Sequence, residues 1–265
     1  MILPDAVIFD WAGTTVDFGS MAPVEAFRGA FSSFGIEVTS DEIRAPMGML
    51  KRDHIKAMLR IPRIGRAFEE RYGRAPAEDD AEAIYQRFEP SLMQGLPAHC
   101  DLKPGLLQAV ELLRAQGIRI GSTTGYTPQM MEVVEKGAAD AGYRPDAVAT
   151  AADAGGHGRP WPYMIFANME RLGLSSVSRL IKIGDTPSDM QEGRNAGAFT
   201  VGVSEGSSAA GCSAREWAAL DEGRRRALAM EAARKLYAAG AHLVVGSLCC
   251  MEEILAAYNA RMREQ

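Results

Sequence analysis

The sequence predicts an α/β fold: a Rossmann-like, doubly wound parallel sheet core with an inserted α-helical cap domain. Two observations point there. Short apolar runs bounded by turn residues recur with helical segments between them, and strands that alternate with helices form parallel sheets with right-handed crossovers. One long all-helical stretch then separates the first strand from the others, so the core is interrupted rather than followed by a second unit.

The first element is Ala6-Val7-Ile8-Phe9, an apolar run ending in Asp10, the pattern of a strand buried on both faces. Residues 21–35, 40–59 and 78–94 carry helical periodicity. In the last of these, Ala81, Ile84, Tyr85, Phe88 and Leu92 share one face. This places the cap at residues 19–98 and the core at residues 1–18 and 99–265. Pro104 to Gln116 reads as a helix stopped by Gly117. Ile118–Thr123 is a strand, and Thr127-Pro128 starts a helix with Thr as cap. Ala147–Thr150, Arg179–Ile183, Phe199–Val203 and Leu243–Val245 are further strands. Helices are expected at Tyr163–Leu172, at Pro187–Ala196, near 215–238 and at 249–262, with a Gly/Ser-rich loop at 205–215.

Composition excludes several classes. With 265 residues, 47% hydrophobic and 24% charged, the chain has apolar surface enough to offset the entropy of ordering. The net charge of -5, with no long block of like charge, leaves no electrostatic footprint for nucleic acid. No apolar run approaches the roughly 20 residues that span a bilayer, so no membrane partner is expected. Cys100, Cys212, Cys249 and Cys250 contain no C-x-x-C spacing, which argues against a disulfide framework or zinc site. No basic segment followed by a long apolar one opens the chain, and a cytoplasmic protein is expected.

Ligands of open α/β sheets bind beyond the carboxyl ends of the strands. There stand Asp10, Thr124-Gly125, Arg159 at the end of a Gly-rich loop at 151–158, and Asp185. Two carboxylates at neighbouring strand ends can share a hard cation such as Mg²⁺. Thr124 offers a hydroxyl, and Arg159 a planar fork for phosphate oxygens. The set describes a phosphoryl-transfer site with nucleophile, metal and cationic clamp.

Asp10-Trp11-Ala12-Gly13-Thr14-Thr15 resembles the D-x-x-x-T motif of the haloacid dehalogenase-like superfamily, and Gly184-Asp185-Thr186-Pro187-Ser188-Asp189 resembles its G-D-T/S-x-x-D motif. Most members carry a second Asp two residues after the nucleophile, as general acid/base; this chain has Ala12. Trp11 and Ala12 together are similar to the phosphonoacetaldehyde hydrolase (phosphonatase) family. The likeness extends through Pro46–His54, Gly121–Thr127 and Gly184–Gly197, and is weakest after residue 205.

That resemblance implies hydrolysis of the C–P bond of phosphonoacetaldehyde, a small-molecule phosphonate, to acetaldehyde and phosphate. It assigns Asp10 as nucleophile and Lys51 as the amine that forms an imine with the substrate. It implies Mg²⁺ held by Asp10, Asp185 and the Ala12 carbonyl, with Asp189 supporting the metal from behind. Arg159, Thr124, Gly125, Tyr126, His54 and Met49 would bind or support the substrate, and two copies would pair as a homodimer through the cap. The departure at Ala12 has a physical reason. Cleaving P–O needs an acid for the alkoxide leaving group. Cleaving P–C needs an electron sink on carbon, and a protonated imine supplies one.

Plainer readings stand beside these. Asp189 lies three residues after Thr186 and could simply complete a capping box. Lys51 and Arg159 could be surface residues, and His54 could satisfy a local hydrogen bond. A P–O phosphomonoesterase of the same superfamily is the alternative enzyme, and a phosphate-binding protein without turnover the alternative class. Gly202-Val203-Ser204-Glu205-Gly206 matches a hydrolase nucleophile elbow, but a loop follows where that motif needs a helix.

Overall fold

Six strands build the core: β1 (Ala6–Phe9), β2 (Arg119–Thr123), β3 (Ala147–Ala149), β4 (Leu180–Gly184), β5 (Phe199–Val203) and β6 (Leu243–Val245). The structure, a computed structural model, describes residues 2–264. The strands form one parallel sheet in the order β3-β2-β1-β4-β5-β6. This is the doubly wound order, with β1 at the centre beside both β2 and β4.

β1, β4 and β5 are buried on both faces, as their continuous apolar runs require. Period-2 alternation divides their side chains. Val7, Phe9, Ile181 and Ile183 join the larger apolar cluster. Ala6, Ile8 and Leu180 pack on the other face with Ile165 and Ala196.

Of the α-helices between β1 and β2, five come in succession after β1: α1 (Met21–Ser33), α2 (Ser40–Arg44), α3 (Lys51–Leu59), α4 (Pro62–Tyr72) and α5 (Glu78–Gly95). Phe27, Phe31, Ile55, Ile64, Phe68 and Phe88 form their shared interior. Behind the sheet order run α6 (Leu106–Ala115), α7 (Pro128–Asp140), α8 (Tyr163–Arg171), α9 (Pro187–Ala196), α10 (Ala214–Ala219), α11 (Glu222–Ala238) and α12 (Met251–Arg263).

Three differences from the sequence reading have physical causes. The helix expected at 40–59 is broken between α2 and α3. Pro46 has no N–H to continue the helical ladder, and Gly48 has φ of 90°, a conformation open mainly to glycine. A Cβ at Gly48 would also fall 2.5 Å from Thr186 Oγ1, so the break lets the cap backbone touch the loop after β4. Helix α4 was not anticipated, because only Ile64 and Phe68 are buried in a run otherwise charged; Pro62 at its first turn was the available signal. The helix near 215–238 divides at Leu220, where the Asp221 side chain accepts from Arg224 N–H and starts α11 afresh. Among the described residues, no helix is long and apolar enough to cross a membrane.

Candidate active site

The chain leaves β1 through a tight turn. The N–H groups of Thr14, Thr15 and Val16 all donate to the Trp11 carbonyl, and Thr15 Oγ1 donates to the Asp10 carbonyl at 3.0 Å. Gly13 has φ of 91°, and a Cβ there would sit 2.2 Å from Asp185 Oδ2. Glycine at this point therefore lets the β1 turn close onto the end of β4. Thr14 Oγ1 donates to Asp185 Oδ1 at 3.2 Å, and the Ser208 N–H to Asp185 Oδ2 at 2.6 Å.

Asp10, Asp185 and Asp189 present carboxylate oxygens that all lie within 4.8 Å of one another, and all three residues are buried. Burial, then the negative charges of Asp10 and Asp189, push Asp185 up to about 8. Burial and the Asp189 charge raise Asp10 as well, against the pull of Arg159 and Lys182. Burial also acts to raise Asp189, but the neighbouring Arg159 and Lys182 charges outweigh it and the net shift is downward. Hard oxygen donors, crowded and mutually repelling, fit a divalent cation. This trio could hold one, and it contains no sulfur or imidazole ligand.

The two oxygens of Asp189 are used differently. Its Oδ2 completes the capping box of α9, accepting from Thr186 Oγ1 at 2.6 Å and from the Thr186 N–H at 3.2 Å. Its Oδ1 faces Lys182 Nζ at 3.0 Å and Arg159 Nη2 at 3.1 Å.

Arg159 reaches the strand ends across the Gly-rich loop. Its Nη2 lies 2.7 Å from Asp10 Oδ1 and donates to the Thr123 carbonyl at 2.8 Å; its Nε donates to Glu192 Oε2 at 2.9 Å. It is buried, not a surface loop residue.

Lys51 opens α3 and is 6% exposed. Burial, then the positive charge of Arg159, pushes its amine down to about 8 in spite of Asp10 nearby. Its Nζ lies 4.9 Å from the centre of the Tyr126 ring. One small cavity of about 20 Å³ brings Asp10, Ala12, Lys51, Thr124, Gly125, Tyr126 and Arg159 together. Ser20, Met47, Gly48 and Thr186 complete its wall, and none of these was given a substrate-binding role from sequence. Asp10 is the only carboxyl residue in that wall among the described residues.

Two expected residues stand behind the wall. Met49 touches the site through its backbone: a Cβ at Gly125 would lie 2.7 Å from the Met49 carbonyl oxygen. His54 is fully buried, with its ring 4.0 Å from that of Phe27. Its Nε2 donates to the Ile43 carbonyl at 2.7 Å, which leaves Nδ1 as the bare nitrogen, without a hydrogen-bond partner. Burial and the Lys51 charge hold the ring well below its ordinary value, so it is neutral.

Four buried polar residues were missed. Lys182 and Glu192 lie beneath Asp189, Thr123 beside them, and Lys103 donates to the Gly13 and Glu205 carbonyls at 2.6 Å each. The legible signal was Lys182 itself, a charge inside an otherwise apolar strand. Ser204 forms no elbow: its hydroxyl donates to the Val245 carbonyl. The four cysteines are free.

Comparison with known proteins agrees with this geometry. A family model described as haloacid dehalogenase-like hydrolase matches residues 4–197. A Bacillus cereus protein named phosphonoacetaldehyde hydrolase is 44% identical over 254 residues, covering 95% of this chain and 95% of that protein. A Clostridioides difficile protein named bifunctional phosphonoacetaldehyde hydrolase/aminoethylphosphonate transaminase is 43% identical over 250 residues; the match covers 94% of this chain but only 39% of that longer protein. Among solved structures, a phosphonoacetaldehyde hydrolase-like protein from Oleispira antarctica superposes with a TM-score of 0.95 at 38% identity, covering 98% and 94% of the two chains. A β-phosphoglucomutase from Clostridium difficile, at 17% identity and a TM-score of 0.71, shares the fold alone. The chain belongs to the phosphonoacetaldehyde hydrolase family of haloacid dehalogenase-like hydrolases.

Proposed function

We propose that the protein hydrolyses the C–P bond of phosphonoacetaldehyde, with Lys51 as the imine-forming amine and Asp10 as the nucleophile. One observation carries this reading. A single cavity holds a buried lysine pushed down to about 8 opposite Asp10, with Ala12 where a second carboxyl would serve P–O cleavage.

The residues divide the work as follows. The neutral Lys51 amine adds to the substrate aldehyde and expels water, giving a protonated imine. An Asp10 oxygen attacks phosphorus, the C–P electron pair moves onto carbon, and the imine nitrogen takes up the displaced pair as an enamine. Water then cleaves the aspartyl phosphate, the enamine regains a proton on carbon, and a second water releases acetaldehyde and the free amine. Arg159 holds phosphonate oxygens, and Thr124 and the Gly125 backbone border the phosphonate. Tyr126 covers Lys51 and keeps it dry, which favours the neutral amine. His54, buried behind the cavity wall one helical turn along from Lys51, is neutral and so adds no positive charge beside the amine. Mg²⁺ held by Asp10, Asp185 and the Ala12 carbonyl, with Asp189 behind, would supply positive charge against which carboxylate and phosphonate can approach.

In this reading residues 19–98 form the cap that brings Lys51 over the core and excludes water. The homodimer through that cap and the cytoplasmic location rest on kinship alone.

The test is product analysis with phosphonoacetaldehyde and with simple phosphate monoesters. Equal amounts of phosphate and acetaldehyde, with little release from the monoesters, is the expected result. Rapid monoester hydrolysis without acetaldehyde formation would establish the P–O reading instead.

A further inference from the structure

Beneath the catalytic carboxylates lies a charge cluster that the proposed reaction does not use. Lys182 projects from β4 toward α9, where Gly193 leaves it room; a Cβ at Gly193 would sit 3.0 Å from the Lys182 side chain. Its ammonium is fully buried, donates to Thr123 Oγ1 at 2.7 Å, and lies 3.0 Å from both Asp189 Oδ1 and Glu192 Oε2 as ion pairs. Glu192, equally buried, uses one oxygen for everything. Oε2 accepts from Arg159 Nε at 2.9 Å and from Thr123 Oγ1 at 2.9 Å, besides Lys182, while Oε1 has no partner. Burying ions this deep is costly unless they are paired, so the cluster needs a reason.

The reason lies in how Arg159 meets the nucleophile. A guanidinium beside a carboxylate prefers a two-pronged pairing that takes both carboxylate oxygens. Made with Nε and Nη2, that pairing would occupy Asp10 completely and leave no oxygen to attack phosphorus. Here Nε is turned away onto Glu192, and the shortest approach to Asp10 is from Nη2, to Oδ1. Nη1 makes no hydrogen bond to the protein among the described residues, and Arg159 lines the cavity. The third corner of the fork is thereby left for the substrate.

We propose that Glu192 is a positioning residue: by holding Arg159 Nε it limits the guanidinium to one contact with Asp10 and keeps a nucleophilic oxygen free, while Lys182 and Thr123 hold Glu192. This rests on the proposed C–P hydrolysis. It also separates two steps, because Arg159 and Asp10 act at phosphorus whereas the imine forms on Lys51.

The test is Glu192→Gln, which keeps size but removes the charge. Two readouts are taken with phosphonoacetaldehyde: steady-state phosphate release, and reductive trapping of Lys51 with cyanoborohydride. The expected result is a fall in kcat of about 100-fold, the scale for a misplaced reacting group, with KM within about threefold and trapping within about twofold of wild type. The double variant Glu192→Gln/Lys182→Gln, which removes both charges together, provides the same readings if the single variant does not fold. A kcat within about twofold of wild type would overturn the proposal. So would equal loss of turnover and trapping, which marks a merely structural role. A wild-type protein that neither traps nor releases phosphate overturns the underlying C–P reading, and this one with it.

Discussion

Raising the pH from 6 to 9 in the presence of phosphonoacetaldehyde is the perturbation that reads Lys51 most directly. A lysine is charged below its pKa, and only the neutral amine adds to an aldehyde, so reactivity must grow as the pH rises. Burial first, then the Arg159 charge, bring this amine to about 8, with Asp10 pulling the other way. At pH 7 about one molecule in eleven then carries a neutral Lys51, against about one in three thousand for a solvated lysine, a gain of about 300-fold. Between pH 6 and pH 9 the neutral fraction climbs about 90-fold and flattens above pH 8. The assay is the rate of cyanoborohydride trapping at the Lys51 peptide, with the reductant in saturating excess so that imine formation sets the rate. A rate still climbing tenfold per unit through pH 9 and beyond would refute the reasoning, because it would mean that burial does not hold the amine near neutrality.

Other outcomes are expected from the same geometry. Asp10→Asn should abolish phosphate release while the Lys51 adduct still forms, which mass analysis of the trapped protein distinguishes. Adding Mg²⁺ should raise the melting temperature, because a cation relieves the repulsion within the Asp10, Asp185 and Asp189 trio; at about 100 times its dissociation constant the gain is about 2.7 kcal/mol. A chelator should reverse that rise, and Asp185→Asn should remove it. Gly13→Ala should cost about 1–3 kcal/mol in denaturant unfolding, since a side chain must adopt φ near 91° and its Cβ would fall 2.2 Å from Asp185 Oδ2. The same variant should lose the Mg²⁺-dependent rise.

Much of the site was legible because its residues stand where strands end. Asp10 after Ala6–Phe9 and Asp185 after Leu180–Gly184 follow from burial of the strand and exposure of its carboxyl end, and both are local properties of sequence. Thr186 and Asp189 were readable as a cap and as chemistry, and one carboxylate performs the first role with Oδ2 and faces two cations with Oδ1. What stayed hidden depends on distant partners. Glu192 and Thr123 are 69 residues apart and Lys182 and Thr123 are 59, so no spacing rule connects them. Arg159 was legible as a clamp, but not its ties to Asp10, Asp189 and Glu192, which come from other segments. His54 shares a motif and, three residues on, a helix face with Lys51, but its ring is covered by Phe27 and its Nε2 is held by the Ile43 carbonyl. The break before α3 matters most for function. It ends α2 at Arg44 and restarts the chain at Lys51, so the reactive amine stands on the first turn of a new helix rather than midway along a continuous one.

The central claim, C–P cleavage through an imine on Lys51, is tested most directly by trapping with phosphonoacetaldehyde and borohydride, followed by peptide mapping, alongside Lys51→Arg. Arginine keeps the positive charge but cannot shed its proton to form an imine. The expected result is one reduced adduct, on Lys51, and a Lys51→Arg protein that folds and releases no phosphate from phosphonoacetaldehyde. Phosphate release that persists in Lys51→Arg, or an active wild-type enzyme without an adduct at Lys51, would contradict it.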